Sequence, residues 1–430
     1  HVAELPEDVV KDWPAERIAE LLAKSYARLK SHIVSTPTLI NDILDDSGRI
    51  SAFPLTEELT CEVRGRDLIG GLPRSVTVTS VEIRRALEPT LLAICDTVRA
   101  TLDAILGAGV AGLAVATELA GRGIPVSILD PASGPGAQGC SWWAGGMLAP
   151  WCEAECAEEP VLRLGRTAID WWDRQGARVQ RHGTLVVTPA RDRRELDRFA
   201  RRTSGFQTID GDAVARLEPD LAGRFDRALF FPDEAHLDPR HALATLRGRL
   251  ADQGVAVDPG PARTPPAAGR TIDCRGLAAR DILPDLRGVR GEMLVLRCPE
   301  VSLSRPVRLL HPRVPIYLVP RGDGIYMLGA TMIESDRRGV VTARSVLELL
   351  SAAYALHPGF GEAEIVELGA DARPAFPDNL PRIGQAGGRL YANGLYRHGY
   401  LLAPAVAMQL ADHIDTGAKP EFWHETDHQR

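Results

Sequence analysis

The stretch Asp103-Ala104-Ile105-Leu106-Gly107-Ala108-Gly109-Val110-Ala111-Gly112 decides how this chain is read. A short apolar strand runs into a GxGxxG turn, and the spacing predicts a helix over Val110–Arg122. A second apolar strand, Val126–Asp130, follows and ends on an acid. Strand, turn, helix and strand make half of a βαβ unit. The glycines have separate tasks. Gly107 makes the tight turn, Gly109 lets the backbone approach a pyrophosphate, and Gly112 lets the helix pack on the strand. Val110 and Ala111 stand at the helix N-terminus, where N–H groups and a positive dipole end meet phosphate. Asp130 is placed to accept hydrogen bonds from an adenosine ribose and to repel the extra phosphate of NADP. A glycine turn in a plain βαβ unit is the competing account, and the turn alone does not choose between FAD and NAD.

Downstream lies a segment of small residues, Pro131 to Pro150, containing Ala144-Gly145-Gly146-Met147. A flat ring lying against backbone N–H groups needs such small side chains; a plain flexible loop would also use them. The pattern then predicts a helix from Glu159 to Gln175, and strands at Thr271–Asp273, Val289–Arg297, Pro315–Val319 and Gly324–Gly329, the last two joined by a turn at Gly322–Gly324. A helix is expected at Thr342–His357 and a strand at Arg389–Asn393. After a loop to Leu402, a buried helix is expected over Ala403–Ile414, with Pro404 in its first turn. That loop, Leu395-Tyr396-Arg397-His398-Gly399-Tyr400-Leu401, is a second glycine-containing loop at a helix N-terminus. Over a flavin, its dipole would stabilise negative charge at the pyrimidine end of the reduced ring. Arg373 and Arg397 are suited to grip a carboxylate in a fork, with Tyr317 adding a hydroxyl. Surface salt bridges and a core tyrosine are the alternatives. His398 has no nucleophile signature beside it and reads as a loop histidine.

Composition narrows the classes. The chain has 430 residues, 45% hydrophobic and 25% charged, as in ordinary globular proteins of two or three domains. Fifty basic against 57 acidic residues give −7, which is no electrostatic footprint for nucleic acid. No apolar run is long enough for a membrane span. No charged-then-apolar leader supports secretion. The seven cysteines are scattered and odd in number, without a CxxC pair, so neither a disulfide framework nor a metal site is expected, and a cytoplasmic setting fits. The chain opens on His1 rather than Met, which suggests a fragment or processed product.

From about Ala104 to Trp423 the chain resembles the FAD-dependent glycine oxidases of thiamine biosynthesis, within the D-amino-acid oxidase group. The matching stretches are Ile105–Ala120, Gly145–Pro150, Val289–Leu296, Tyr317–Arg321, Gly329–Met332, Arg373–Gly384 and Gly394–Ala405. The resemblance implies FAD, held by the glycine turn and by Asp130, where the family often has Glu. It implies that Cys140, Ser141, Gly145, Gly146 and Met147 contact the flavin, and that Leu395 to Leu401 lie over its pyrimidine. Arg373 would clamp the substrate carboxylate, with Arg397 and Tyr317 nearby and Met332 lining the pocket. Trp142 and Trp143 stand where small residues are expected. The implied reaction is hydride transfer from the α-carbon of glycine to flavin N5, with sarcosine or small D-amino acids as further substrates. Oxygen would reoxidise the flavin, giving peroxide, glyoxylate and ammonia, and the glycine imine would feed thiazole formation. The family also implies a homo-oligomer. A flavin-dependent D-amino-acid dehydrogenase using a carrier is the alternative, and a non-enzymatic, actin-derived interaction module a distant third.

The expected fold is α/β: a glutathione-reductase-like, Rossmann-type FAD-binding domain over 103–180, 236–290 and 365–430, with a mixed or antiparallel-sheet substrate domain over 181–235 and 291–364. Residues 1–102 form an α+β extension. Within it an amphipathic helix is expected over 15–30, two short strands around a Gly70-Gly71 turn, and a helix from about Ser80 to Leu102. The run from Phe53-Pro54-Leu55 to Leu102 resembles a piece of an MreB-type bacterial actin without its phosphate loops. A fused or truncated reading frame, or a small docking domain, would account for it.

Overall fold

The computed structural model describes residues 103–425 except 133–135, 256 and 260–268, together with the backbone of two earlier strands. Those strands, Thr60–Arg66 and Pro73–Thr79, pair antiparallel, with Thr60 opposite Thr79. The helices expected over 15–30 and 80–102 lie outside the described residues.

Two large sheets carry the rest. The first has seven strands in the spatial order Val257–Pro259, Val126–Asp130, Asp103–Leu106, Thr271–Asp273, Arg389–Asn393, Arg382–Ala386 and Trp423–Glu425. The first five run parallel. A parallel sheet is covered on both faces, which is why Asp103–Leu106 is buried at every position. Helices Val110–Gly121, Pro239–Asp252 and Gly399–Thr416 share its core, where Ile105, Leu113, Ile128, Leu246 and Leu410 are fully buried. Each such side chain contributes about 1.5–3 kcal/mol.

The second sheet has nine strands. Its spine is the antiparallel pair Arg287–Arg297 and Glu364–Ala375, in which Val289 faces Arg373. Beyond it lie the Ile325–Gly329, Ile316–Gly322 and Val307–Leu309 strands, and Arg308 faces Tyr317. Helix Ala343–Leu356, capped by the Thr342 hydroxyl, covers the core of this sheet with Leu349, Ala353 and Leu356. Both spine strands belong wholly to the second sheet, so the boundaries expected at 290/291 and 364/365 fall inside strands.

Two helices differ from expectation for identifiable reasons. The stretch from Glu159 to Gln175 forms two helices, Glu159–Gly165 and Ala168–Arg174. At the break Gly165 packs so closely on Leu401 that an added Cβ would lie 2.7 Å from Leu401 Cγ. The last long helix begins at Gly399, not Ala403, which puts Pro404 inside it. Proline has no N–H for the Tyr400 carbonyl four residues back. The indole N–H of Trp172 donates to that carbonyl instead, at 2.8 Å.

Candidate active site

The two sheets face a cavity of about 420 Å³. Its floor is the glycine turn at the C-terminal ends of the parallel strands, where doubly wound sheets place their ligands. Gly107 has φ +96, a conformation that side chains disfavour. A Cβ on Gly112 would sit 1.9 Å from the Gly107 carbonyl oxygen, so helix and turn touch only because Gly112 lacks a side chain. Asp130 accepts from Ala108 N at 2.6 Å and from Ala132 N at 2.9 Å, and its side chain thereby fixes the turn while lining the cavity. Ser141 crosses over from the next segment, its Oγ accepting from Val110 N at 3.1 Å at the helix N-terminus.

Cys140–Trp143 is one short 3₁₀ turn. Burial pushes the Cys140 thiol up to about 11, so it is neutral. Gly145 and Gly329 bracket the Tyr317 ring: added Cβ atoms would lie 2.8 Å from Tyr317 Cε2 and 2.9 Å from its hydroxyl. Gly146 has φ +74 and leaves no room for a Cβ beside the Leu237 carbonyl. Met147 pairs with His236 in a two-residue ladder. Arg321 staples this segment, donating to the carbonyls of Leu237, Ala144 and Gly145 at 2.7, 3.1 and 3.0 Å. Trp142 and Trp143 are accommodated from outside. The Arg240 guanidinium stacks 4.5 Å from the Trp142 ring and forms a two-pronged ion pair with Glu367, while Trp143 fills the space that Gly369 leaves.

The C-terminal loop forms the other wall. Tyr396 takes φ +51, and Leu395, Tyr396, Arg397, His398, Gly399, Tyr400 and Leu401 all line the cavity. The Tyr400 hydroxyl donates to the Ser141 carbonyl at 3.0 Å, tying the loop to the segment opposite. The two arginines differ sharply. Arg373 lies across Gly291, a position a Cβ would invade, and donates to the Thr331 carbonyl at 3.2 Å. Among the described residues it has no carboxylate partner. Arg397 pairs with Glu153 at 2.6 Å and also touches Cys156 and, at 3.6 Å, Met332 Sδ.

No pattern in the sequence marks Glu153. Its buried carboxylate also accepts from Arg308 at 3.2 Å and lies 3.0 Å from His398 Nε2. Burial pushes this carboxyl up, but Arg397, His398 and Arg308 together hold it well below the usual range. Burial keeps the His398 imidazole below its ordinary value. Nε2 also lies 3.3 Å from the Arg397 Nε donor, so it sits between a cation and a carboxylate, and Nδ1, buried, has no partner among the described residues. The missed residues gave one usable signal. Arg308 is a cation in the middle of the otherwise buried strand Val307–Leu309.

These features fit FAD. The side-chain-free turn, the helix N-terminus and Asp130 line one part of the cavity, and the Leu395–Leu401 wall with its orphaned His398 nitrogen lines another. A dinucleotide-binding oxidoreductase is the class that fold and site define. The family described as FAD dependent oxidoreductase matches residues 104–413. A Rhizobium etli protein named as a thiamine biosynthesis oxidoreductase, ThiO, is 59% identical over 312 residues, 72% of this chain and 95% of that protein. A glycine oxidase of Pseudomonas aeruginosa is 27% identical over 355 residues, 74% of this chain and 95% of its own. The solved glycine oxidase of Bacillus cereus superposes with a TM-score of 0.64 at 22% identity, covering 74% of this chain and 98% of that one. The MreB/Mbl protein family matches residues 48–123, overlapping the glycine turn. The chain belongs to the FAD-dependent oxidoreductase family of the D-amino-acid oxidase group. It is a flavoprotein acting on amines, and the non-enzymatic reading falls away. Among the described residues no helix is long and apolar enough to cross a membrane, and no His, Cys, Asp and Glu cluster is arranged to hold a metal.

Proposed function

We propose that this chain oxidises glycine, and with it sarcosine and small D-amino acids, with oxygen as the electron acceptor. The net reaction is glycine, water and oxygen giving glyoxylate, ammonia and hydrogen peroxide. The observation that carries the reading is Arg373: a cavity-facing guanidinium with no acid of the described chain to neutralise it. A substrate carboxylate supplies the missing partner in the fork geometry arginine favours. Bound FAD supplies a two-electron acceptor for a hydride from the α-carbon. The chain's own work is orientation. Arg373 fixes one end of the amino acid, and Tyr317, locked between Gly145 and Gly329, and Met332 bound the space beside it. The neutral Cys140 thiol adds no base, and none is required when the amine enters uncharged.

The name of the Rhizobium etli relative supports one further part of the proposal, that the imine formed from glycine serves thiazole formation in thiamine biosynthesis. A cytoplasmic homo-oligomer completes the proposal. The FAD would be held by Gly107, Gly109, Val110, Ala111, Gly112 and Asp130, with Cys140 to Met147 and Leu395 to Leu401 around the ring. A visible absorption spectrum of the purified protein under anaerobic glycine tests the reading. Flavin bands that bleach with glycine and return with oxygen and peroxide support it. Bleaching only by bulkier D-amino acids, with no return in oxygen, selects the carrier-dependent dehydrogenase. No response to any amino acid overturns both.

A further inference from the structure

One position in the spine of the second sheet carries no side chain although its backbone would take one. Gly291 stands in the middle of the strand Arg287–Arg297, buried, lining the cavity and facing Asp371 across the ladder. Its φ lies outside the left-handed region, so no turn or torsion calls for glycine there. A glycine inside a strand weakens it and marks a place where another group comes close to the backbone.

The group that comes close is the Arg373 guanidinium. Arg373 faces Val289, two residues from Gly291 and on the same face of the sheet, so its side chain leans diagonally across the ladder. A Cβ on Gly291 would lie within 2.6 Å of the Arg373 Cζ and of both its Nη atoms. These are the three nearest atoms, all from the guanidinium and none from backbone. At Gly112 the fold itself stands where a Cβ would go; at Gly291 only the far end of one side chain does.

The hydrogen bond that holds Arg373 is tied to the same place. Its acceptor is the Thr331 carbonyl, at 3.2 Å. Thr331 is fixed to the residue after Gly291: Glu292 N donates to Thr331 Oγ at 2.8 Å, and Thr331 N donates to the Glu292 carbonyl at 3.2 Å. The fully buried Glu292 side chain is paired with Arg290 and accepts from Thr342 N at 2.9 Å. The bare backbone under the guanidinium and the carbonyl beside it are thus parts of one fixed unit.

We propose that Gly291 is a positioning residue for Arg373: its missing side chain sets the depth and aim of the guanidinium, and so the place where the substrate carboxylate docks. The proposal rests on the amine-oxidase reading above, in which Arg373 grips that carboxylate. A methyl at 291 lifts the guanidinium off the strand and away from the Thr331 carbonyl, while the strand keeps its register.

The test is a double-mutant cycle on the FAD-bound enzyme, with acetate as the carboxylate probe, its binding read from the flavin absorbance, and thermal unfolding alongside. Gly291→Ala should weaken acetate binding at least about tenfold, the loss of one charge-assisted contact, and raise KM for glycine in step, at unchanged FAD content. In the Arg373→Ala background the same change should have no further effect on acetate. The double variant should melt no lower than Arg373→Ala alone, because alanine suits an extended strand once the guanidinium is gone. Equal weakening in both backgrounds, or wild-type affinity in Gly291→Ala, overturns the proposal. If Gly291→Ala fails to fold, the double variant decides: its folding shows that the guanidinium was the obstacle, and its failure shows that Gly291 serves the sheet alone and overturns the proposal. Arg373→Ala binding acetate as tightly as wild type removes Arg373 from the carboxylate site and the proposal with it. The bleaching of the flavin by glycine then judges the amine-oxidase reading separately.

Discussion

The glycine turn and the Glu153 corner line the same cavity but are built by opposite means. At the turn, side chains are missing: Gly112 has no atom where a Cβ would strike the Gly107 carbonyl, and bare backbone lines the cavity. At the corner, buried side chains crowd together: Glu153, Arg308, Arg397 and His398 are nearly enclosed and each depends on the others. A site for a pyrophosphate needs closeness and backbone donors. A site for a small charged substrate needs fixed charges in a place water does not screen. The difference teaches where each half should break. The turn should fail sterically and all at once, and the corner electrostatically and by degrees.

The largest effect is therefore expected at Gly112. Gly112→Ala forces a methyl to within 1.9 Å of a backbone oxygen, and neither helix nor turn can yield without moving the strand ends. Protein purified from this variant should carry almost no FAD, read from its visible absorbance against protein. Gly109→Ala meets only the Ser141 hydroxyl within the chain, at 3.3 Å, so it should fold with little loss of stability, but its methyl stands where the pyrophosphate approaches and FAD content should fall there too. Full FAD content in Gly109→Ala would show that close backbone approach is not what holds the cofactor.

At the corner, Glu153→Gln removes the one anion shared by two guanidiniums. Breaking a buried ion pair from one side costs about 3–5 kcal/mol. Thermal unfolding of the FAD-bound protein should show a loss of that size, against under about 1 kcal/mol for an exposed pair. Arg373→Ala comes next. It removes the unpaired guanidinium and should raise the Michaelis constant for glycine by about 2–4 kcal/mol in binding terms, with stability little changed. An unchanged constant would remove Arg373 from the carboxylate site.

The same contrast explains what the sequence made legible. The turn is local: its glycines, its helix and Asp130 lie within one short stretch, and their spacing carries the chemistry. The corner joins residues 153, 308, 397 and 398, from three separate parts of the chain, and no period or motif links them. Arg397 was legible as a cation near the cavity, but its partner was not, so one arginine already neutralised and one left free looked alike. Trp142 and Trp143 stood out from the expected pattern because their support, Arg240 with Glu367 and the gap at Gly369, comes from distant helix and strand positions. The late start expected for the last helix has a similar cause. Pro404 signals a helix beginning, and only the packing of Trp172 onto the Tyr400 carbonyl lets the helix run through it.

The smallest effect concerns Glu234, which lies beside the corner and pairs with no cation there. Its Oε1 accepts from Cys152 N at 2.7 Å, and its Oε2 has no partner among the described residues. Burial raises its pKa to about 7 from an ordinary value of 4.5. Below pH 4.5 the group is protonated in both folded and unfolded chains, and its environment costs nothing. Between 4.5 and 7 the unfolded chain releases the proton while the folded chain keeps it, so stability falls as pH rises across that window. The total swing is at most about 3 kcal/mol. Glu234→Gln preserves an acceptor for Cys152 and abolishes the titration. Its melting temperature relative to wild type should therefore climb from pH 4.5 to 7 and level off above. A difference independent of pH would show that Arg308 reaches Glu234 strongly enough to ionise it. Glu234 would then be a second anion in the corner, beside Arg308.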